Sequence, residues 1–271
     1  MPLKLKDLDQ TQAPLLDHLI ELRNRLFRCV ITLGVAFAGC FYFAADIFAL
    51  LVRPLAQAFP AGEGRLVYTK LYEAFFVEIQ VALFAAFVVS FPIIANQLWQ
   101  FVAPGLYAKE KKAFLPFLLA TPVLFTAGAS LAYFVVMPTM FTFLLGFEGM
   151  TAGIPQEALP AMGDYLTLVM HLILAFGISF LLPVLLLLLN RAGIVSREQM
   201  TTARRYVIVG IFIVAAVVTP PDVISQLILA IPLVILFEIS LLLMRPADKM
   251  GARDEEETDD VSAATKPEQT V

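Results

Sequence analysis

Charge is what this chain has least of. Asp, Glu, Lys and Arg make up 15% of its 271 residues, against 59% hydrophobic ones. So few ionic groups cannot cover a water-soluble domain, and together with a mean hydropathy of +0.82 they exclude an ordinary globular protein in favour of a polytopic membrane protein. Histidine is nearly absent too: His18 and His171 are the only two. The sequence offers no metal-ligand cluster and no nucleophile with a base in reach, so His171 is expected to be hydrogen-bonded within a helical bundle rather than catalytic. The two cysteines, Cys29 and Cys40, fall in one predicted helix about 16 Å apart, too far for a disulfide. They read as packing residues. There is no phosphate-binding Gly-x-x-x-x-Gly-Lys, no evident internal repeat, and no secretory or transit signal ahead of the first apolar helix. An excess of positive charge is missing as well. The formal charge is −4, and it becomes +2 once the six acids of residues 254–260 are set aside, so no bulk attraction to nucleic acid follows.

What is there is a series of apolar runs. From Leu15 to Arg28 the residues Leu15, Leu19, Leu22 and Leu26 recur at helical spacing with Asp17, Glu21, Asn24 and Arg28 opposite, which predicts an amphipathic helix on a membrane surface. A charge-free run over 29–45 completes a first span. Asp46, Arg53, Pro54, Pro60, Gly62 and Gly64 then predict a mostly extramembrane loop. Further spans are expected from about 75 or 78 to 99, over 113–137 ending before Pro138, and over 165–190. Residues 138–163, rich in Gly and Pro and without Lys or Arg, are expected to be a loop. Residues 206–219 are apolar for only fourteen positions before Pro220-Pro221, about 21 Å of helix and short of a hydrocarbon core. A sixth span over 223–244 returns the chain.

These runs give an all-α membrane protein of six transmembrane helices, the last two short. Its expected parts are a cytoplasmic amphipathic segment at 1–28, the six-helix domain at 29–245, and a disordered acidic tail at 246–271. Sixteen Lys and Arg fall on the side of the N-terminus against three on the other, so both termini are expected in the cytoplasm.

One loop stands out. Between the second and third spans, Glu110 is the single acid among Lys109, Lys111 and Lys112. Those lysines hold the loop on the cytoplasmic side; the acid has no such role and is left to explain. In the same way Glu21 lies at helical spacing from Arg25 and Arg28, which offers it a local ion pair.

Four motifs carry a resemblance. They are His18-Leu19-Ile20-Glu21-Leu22-Arg23-Asn24-Arg25-Leu26, then Phe101-Val102-Ala103-Pro104-Gly105-Leu106-Tyr107 with Glu110 after it, then Ala132-Tyr133-Phe134, then Thr219-Pro220-Pro221-Asp222-Val223. In this order on a six-span plan, over roughly residues 15–245, the chain resembles the TatC family, receptor subunits of the twin-arginine translocase. The resemblance implies a cupped arrangement of the six helices in a bacterial inner membrane, no catalysis and no cofactor. It implies a cytoplasmic face that binds signal peptides with consecutive arginines, export of folded cargo on the proton-motive force, TatA- and TatB-type single-span partners, and receptor copies associating within the complex. It assigns arginine reading to Glu21 and Glu110, with Arg23, Phe101, Pro104 and Tyr107 shaping the same patch. Physical chemistry agrees, because a guanidinium pairs with a carboxylate through two parallel hydrogen bonds and an ammonium cannot.

The remaining polar positions have structural roles to weigh. Asp222 is placed to cap the sixth helix. Gln226, one turn on, is available to a partner helix that the resemblance implies at this hairpin. Glu238, about 10 Å from the helix end, needs a partner at that depth, and a structural ion pair is expected over a proton relay. Many family members carry a glutamate in the fourth span where this chain has Leu181 in Ser179-Phe180-Leu181-Leu182-Pro183. The alternative is a secondary transporter for a small cationic solute, with Glu78, Asp222 and Glu238 converging in the bundle.

Overall fold

The computed structural model describes residues 6–59, 64–106, 111–151, 154–191, 193–219 and 222–244, with side chains at 19–59, 64–101, 117–150, 156–191, 193–219 and 222–244. The expected acidic tail lies outside them. Among the described residues, six stretches are long and apolar enough to cross a membrane: Leu19–Tyr42, Glu73–Phe101, Phe117–Leu145, Met162–Arg191, Arg197–Val218 and Val223–Leu243. The last two, at 22 and 21 residues, are the shortest. The chain divides into two compact units, one up to residue 178 and one from residue 179.

The first unit opens with α1, Lys6–Tyr42. The expected surface helix and the first span are thus one continuous helix, since no Pro or Gly interrupts residues 15–33. It packs along α3, Glu73–Leu106. Where a loop was expected at 46–64, the chain forms α2, Ala44–Ala58. Pro54 lacks the N–H that would bond to the carbonyl four residues back, which is Leu50. That orphaned oxygen is taken instead by the Tyr133 hydroxyl at 2.7 Å, while the Tyr165 hydroxyl donates to the next carbonyl, Leu51, at 2.8 Å. With Leu51, Pro54 and Leu55 buried, tertiary contacts override the breaker.

The third stretch also runs past its expected end. Helix α4, Lys111–Leu131, continues through a π-turn at Ala132–Val136 into α5, Met137–Leu145. In that turn the Met137 N–H reaches back five residues to the Ala132 carbonyl. Pro138 then falls in the first turn of α5, where its missing N–H costs little. The expected loop at 138–163 is therefore helical at first and then a small antiparallel hairpin, β1 Gly149–Thr151 with β2 Ile154–Gln156. Helix α6, Met162–Ser179, follows. Its start is tied to the start of α3: Glu73 accepts from the Gly163 N–H at 2.9 Å and from the Thr69 N–H at 2.8 Å, and the Met162 N–H donates to the Val67 carbonyl at 2.8 Å.

The core of this unit is aromatic and small by turns. Val81, Ala82 and Ala86 of α3 are fully buried, and the Phe91 ring stacks on Phe125 of α4 with centroids 3.8 Å apart. Gly177 of α6 meets the Phe125 ring so closely that a Cβ there would lie 2.6 Å from it. The Trp99 indole N–H donates to Thr121 Oγ1 at 2.8 Å, linking α3 to α4.

In the second unit α7, Leu182–Arg191, starts with Pro183 in its first turn. The fourth apolar run, expected as one helix over 165–190, is thus two helices with Phe180 and Leu181 between them. Helix α8, Arg197–Val218, begins with a capping box in which Ser196 and Gln199 each accept from the other's backbone N–H. At 22 residues it spans about 33 Å, so the fourteen apolar residues are only the second part of a helix whose first turns carry Arg197, Arg204 and Arg205. Helix α9, Val223–Leu243, packs against both α7 and α8.

Candidate functional site

The polar surface nearest to the expected site is built where α1 meets the last turns of α3. The two helices run antiparallel: α2, which follows α1, and the start of α3 both bond to the start of α6, while Arg25, early in α1, reaches Gln97 and Gln100 near the end of α3. Glu21, one turn before Arg25, therefore faces toward Phe101 and the end of α3. Glu21 and Arg25 form an ion pair, with Arg25 Nε and Nη2 both on Glu21 Oε1 at 3.0 and 2.5 Å. Arg25 Nη1 donates to Gln100 Oε1 at 3.0 Å and to the Gln97 carbonyl at 3.5 Å. Gln100 Nε2 donates in turn to Asn96 Oδ1 at 2.8 Å. The local partner expected for Glu21 is thus made, and it is also cross-linked to a second helix.

Around it, Arg23 is exposed and its Nη2 donates only weakly to Asn24 Oδ1, at 3.4 Å. Arg28 is exposed on the next turn, and so are the apolar Leu22, Leu26 and Phe27. Phe101 is half-buried in the final turns of α3. Pro104 belongs to the last turn of the same helix, but its side chain, Tyr107 and Glu110 lie outside the described residues. Sequence reasoning missed Gln97, Gln100 and Asn96. The signal for the last two was their i, i+4 spacing at the end of an otherwise apolar helix, where side-chain amides can chain together. Gln97 also places a buried side-chain oxygen here that meets no donor.

The second unit settles several polar positions. Asp222 caps α9, accepting from the Ser225 N–H at 2.6 Å. Gln226 donates from Nε2 to the Phe212 carbonyl of α8 at 3.2 Å, tying the α8–α9 hairpin together. Glu238 pairs with Arg204 of α8 at 2.6 Å, the partner its depth required. Glu238 lies sixteen residues after Asp222 on one helix, about 24 Å along it. Two acids that far apart on one helix do not converge on one cation, and Glu78, the third acid of that alternative, is exposed on α3. Leu181 sits in the turn between α6 and α7, its carbonyl accepting from the Leu185 N–H.

His171 departs from expectation. It is exposed on α6, and among the described residues no hydrogen bond to it is found, while Leu172, Ile173 and Phe176 form the buried stripe; at 100° per residue, 171 falls on the opposite side of the helix from that stripe. Among the described residues no group of His, Cys, Asp and Glu is arranged to hold a metal ion.

Comparison with known proteins gives one consistent answer. Residues 17–232 match the family model described as Sec-independent protein translocase protein (TatC). The Sec-independent protein translocase protein TatC of Magnetococcus marinus is 46% identical over 249 residues, covering 92% of this chain and 90% of that protein. Its counterpart in Escherichia coli strain K12 is 41% identical over 232 residues, 86% of this chain and 88% of that one. A crystal structure of a twin-arginine translocase receptor, TatC, in the detergent DDM superposes with a TM-score of 0.72 at 38% identity, covering 84% of this chain and 99% of that one.

Proposed function

Because the chain belongs to the TatC family of Sec-independent protein translocase proteins, we propose that it is the subunit that recognises consecutive arginines in the signal peptides of proteins to be exported, with Glu21 as one of the two carboxylates that grip them. The observation that carries this is the guanidinium already seated on Glu21 at the junction of α1 and α3. A surface that holds one guanidinium through a carboxylate and two amide oxygens has the chemistry to hold another. Each charge-assisted hydrogen bond contributes about 1.5 to 3 kcal/mol net, enough for two arginines to set the register of a peptide. Glu110, in the loop that follows α3, supplies the second carboxylate. Arg23, Phe101, Pro104 and Tyr107 shape the surface between them, and the exposed Leu22, Leu26 and Phe27 offer apolar contact to the stretch that follows the arginines in such a peptide.

The binding face is cytoplasmic, as the sixteen-to-three distribution of Lys and Arg requires of a protein with both termini inside. The protein works in the bacterial inner membrane, with copies of itself and with single-span TatA- and TatB-type subunits. The α8–α9 hairpin receives such a partner helix on its exposed apolar positions, among them Val217, Val223 and Ile224. Gln226 spends one amide N–H within the hairpin, so its second N–H and its amide oxygen are what it offers a partner. Transport draws on the proton-motive force. Leu181 supplies no carboxylate to that step.

The test is direct binding of the purified protein to two signal peptides that differ only in Arg-Arg against Lys-Lys. The arginine peptide should bind at least tenfold tighter. Equal affinity for the two would overturn the proposal.

A further inference from the structure

The guanidinium on Glu21 belongs to the chain itself. Arg25 is surrounded by three oxygen acceptors from two helices: Glu21 Oε1, reached by Nε and Nη2, Gln100 Oε1 at 3.0 Å and the Gln97 carbonyl at 3.5 Å. The Gln100 oxygen is held toward Arg25 because its amide nitrogen is spent on Asn96 Oδ1. A planar fork of five donors matches several oxygens at fixed angles, and an ammonium in the same place meets them poorly.

We infer that these acceptors form a guanidinium site whose resting occupant is Arg25, and that a signal-peptide arginine binds by displacing it. Arg25 is then a built-in competitor that sets how tightly the site holds a peptide. The inference rests on the function proposed above for Glu21 and adds what the carboxylate does before a peptide arrives.

Exposure shows that displacement is feasible. The Glu21 side chain is 36% exposed and that of Arg25 only 18%, so the acid can be reached from solvent while its occupant lies against α3. Exchange needs one side chain to swing and no helix to part. The tethered occupant competes at high effective concentration, being one turn away on the same helix. An incoming arginine replaces the lost bonds like for like. A lysine returns only a point contact to the same oxygens, so the intrinsic preference for a fork separates Arg-Arg from Lys-Lys, while the resident guanidinium lowers the affinity of both by the same factor. The resident thus keeps the complex from being tight, which suits a receptor that must release its peptide.

The experiment uses the full chain in lipid nanodiscs, labelled Arg-Arg and Lys-Lys signal peptides, and fluorescence anisotropy, with Arg25→Lys and Arg25→Gln beside the unaltered protein. Displacement predicts that Arg25→Lys binds the Arg-Arg peptide about threefold tighter and Arg25→Gln up to about tenfold tighter, the range set by a partly exposed ion pair. The Lys-Lys peptide should gain by the same factor in both, so that the two affinities rise together and selectivity is unchanged. If Arg25 only fastens α1 to α3, affinity for Arg-Arg stays level or falls in both variants, and the displacement model is lost while the receptor function stands. Failure of the unaltered protein to prefer Arg-Arg removes both. Should Arg25→Gln not accumulate in the membrane, the sign of the change in Arg25→Lys decides alone.

Discussion

A carboxylate at a membrane surface is judged by what it can reach, and Glu21 reaches outward along α1 and across to α3 through Arg25. Its sequence spacing showed the Arg25 pair but not Gln100 or Asn96, because a glutamine at the end of a helix reads as solvated until a second helix is placed beside it. His171 went the other way: falling on the side of the helix opposite the buried stripe changes an interior polar residue into an exposed one. In the proposed function, Glu21 and Glu110 act on neighbouring arginines of one peptide, so losing either would remove a fork that the other cannot replace. Glu21→Ala should weaken binding of an Arg-Arg signal peptide about tenfold, equivalent to about 1.4 kcal/mol. Glu110→Ala should abolish crosslinking of the same peptide while the protein still inserts and accumulates. Unchanged crosslinking in Glu110→Ala would remove that residue from the site.

Prolines misled most at the level of elements. Pro54 and Pro138 are ordinary signals for the end of a helix, and both sit within helical structure here. The reasons differ. At Pro138 the preceding π-turn reorganises the hydrogen-bond ladder. At Pro54 the orphaned Leu50 carbonyl finds a tyrosine from another element. The π-turn lies in the residues just before Pro138 but has no sequence signature, and the tyrosine that serves Leu50 lies more than eighty positions away, although Tyr133 had already been marked as part of a motif. Where polar spacing and caps were local, as at Asp222 and in the length of α9, sequence and structure agree. The Tyr133 bond is testable by a cycle. Tyr133→Phe should destabilise the protein in detergent by about 1 kcal/mol, read as a lowered midpoint of thermal unfolding. Pro54→Ala restores the missing donor, so adding it to Tyr133→Phe should recover most of that loss. A double variant no better than the single one would show that the hydroxyl does something other than satisfy Leu50.

For the whole molecule, hydropathy and charge asymmetry were enough to count six apolar stretches, because hydrocarbon imposes its thickness on every one of them. What they could not supply was the path of the chain between the stretches: α2, the π-turn and the hairpin at 149–156 all lie where loops were expected. The distribution of Lys and Arg makes an orientation prediction that needs no structure. A reporter active only outside the cytoplasm should be active when fused after residue 148 and silent when fused after residue 245, with the reverse pattern for a cytoplasmic reporter. Activity at both positions would contradict a chain whose termini share the inner side.

The contact of Gly177 with Phe125 has a consequence for how this protein can change over time. The ring is stacked on Phe91 and has little room to give way where a Cβ at 177 would lie 2.6 Å from it, so position 177 is closed to every side chain while that pair of aromatics persists. Descendants with alanine at 177 should carry a slimmer residue at 125, and the two sites, more than fifty positions apart, should mutate as partners.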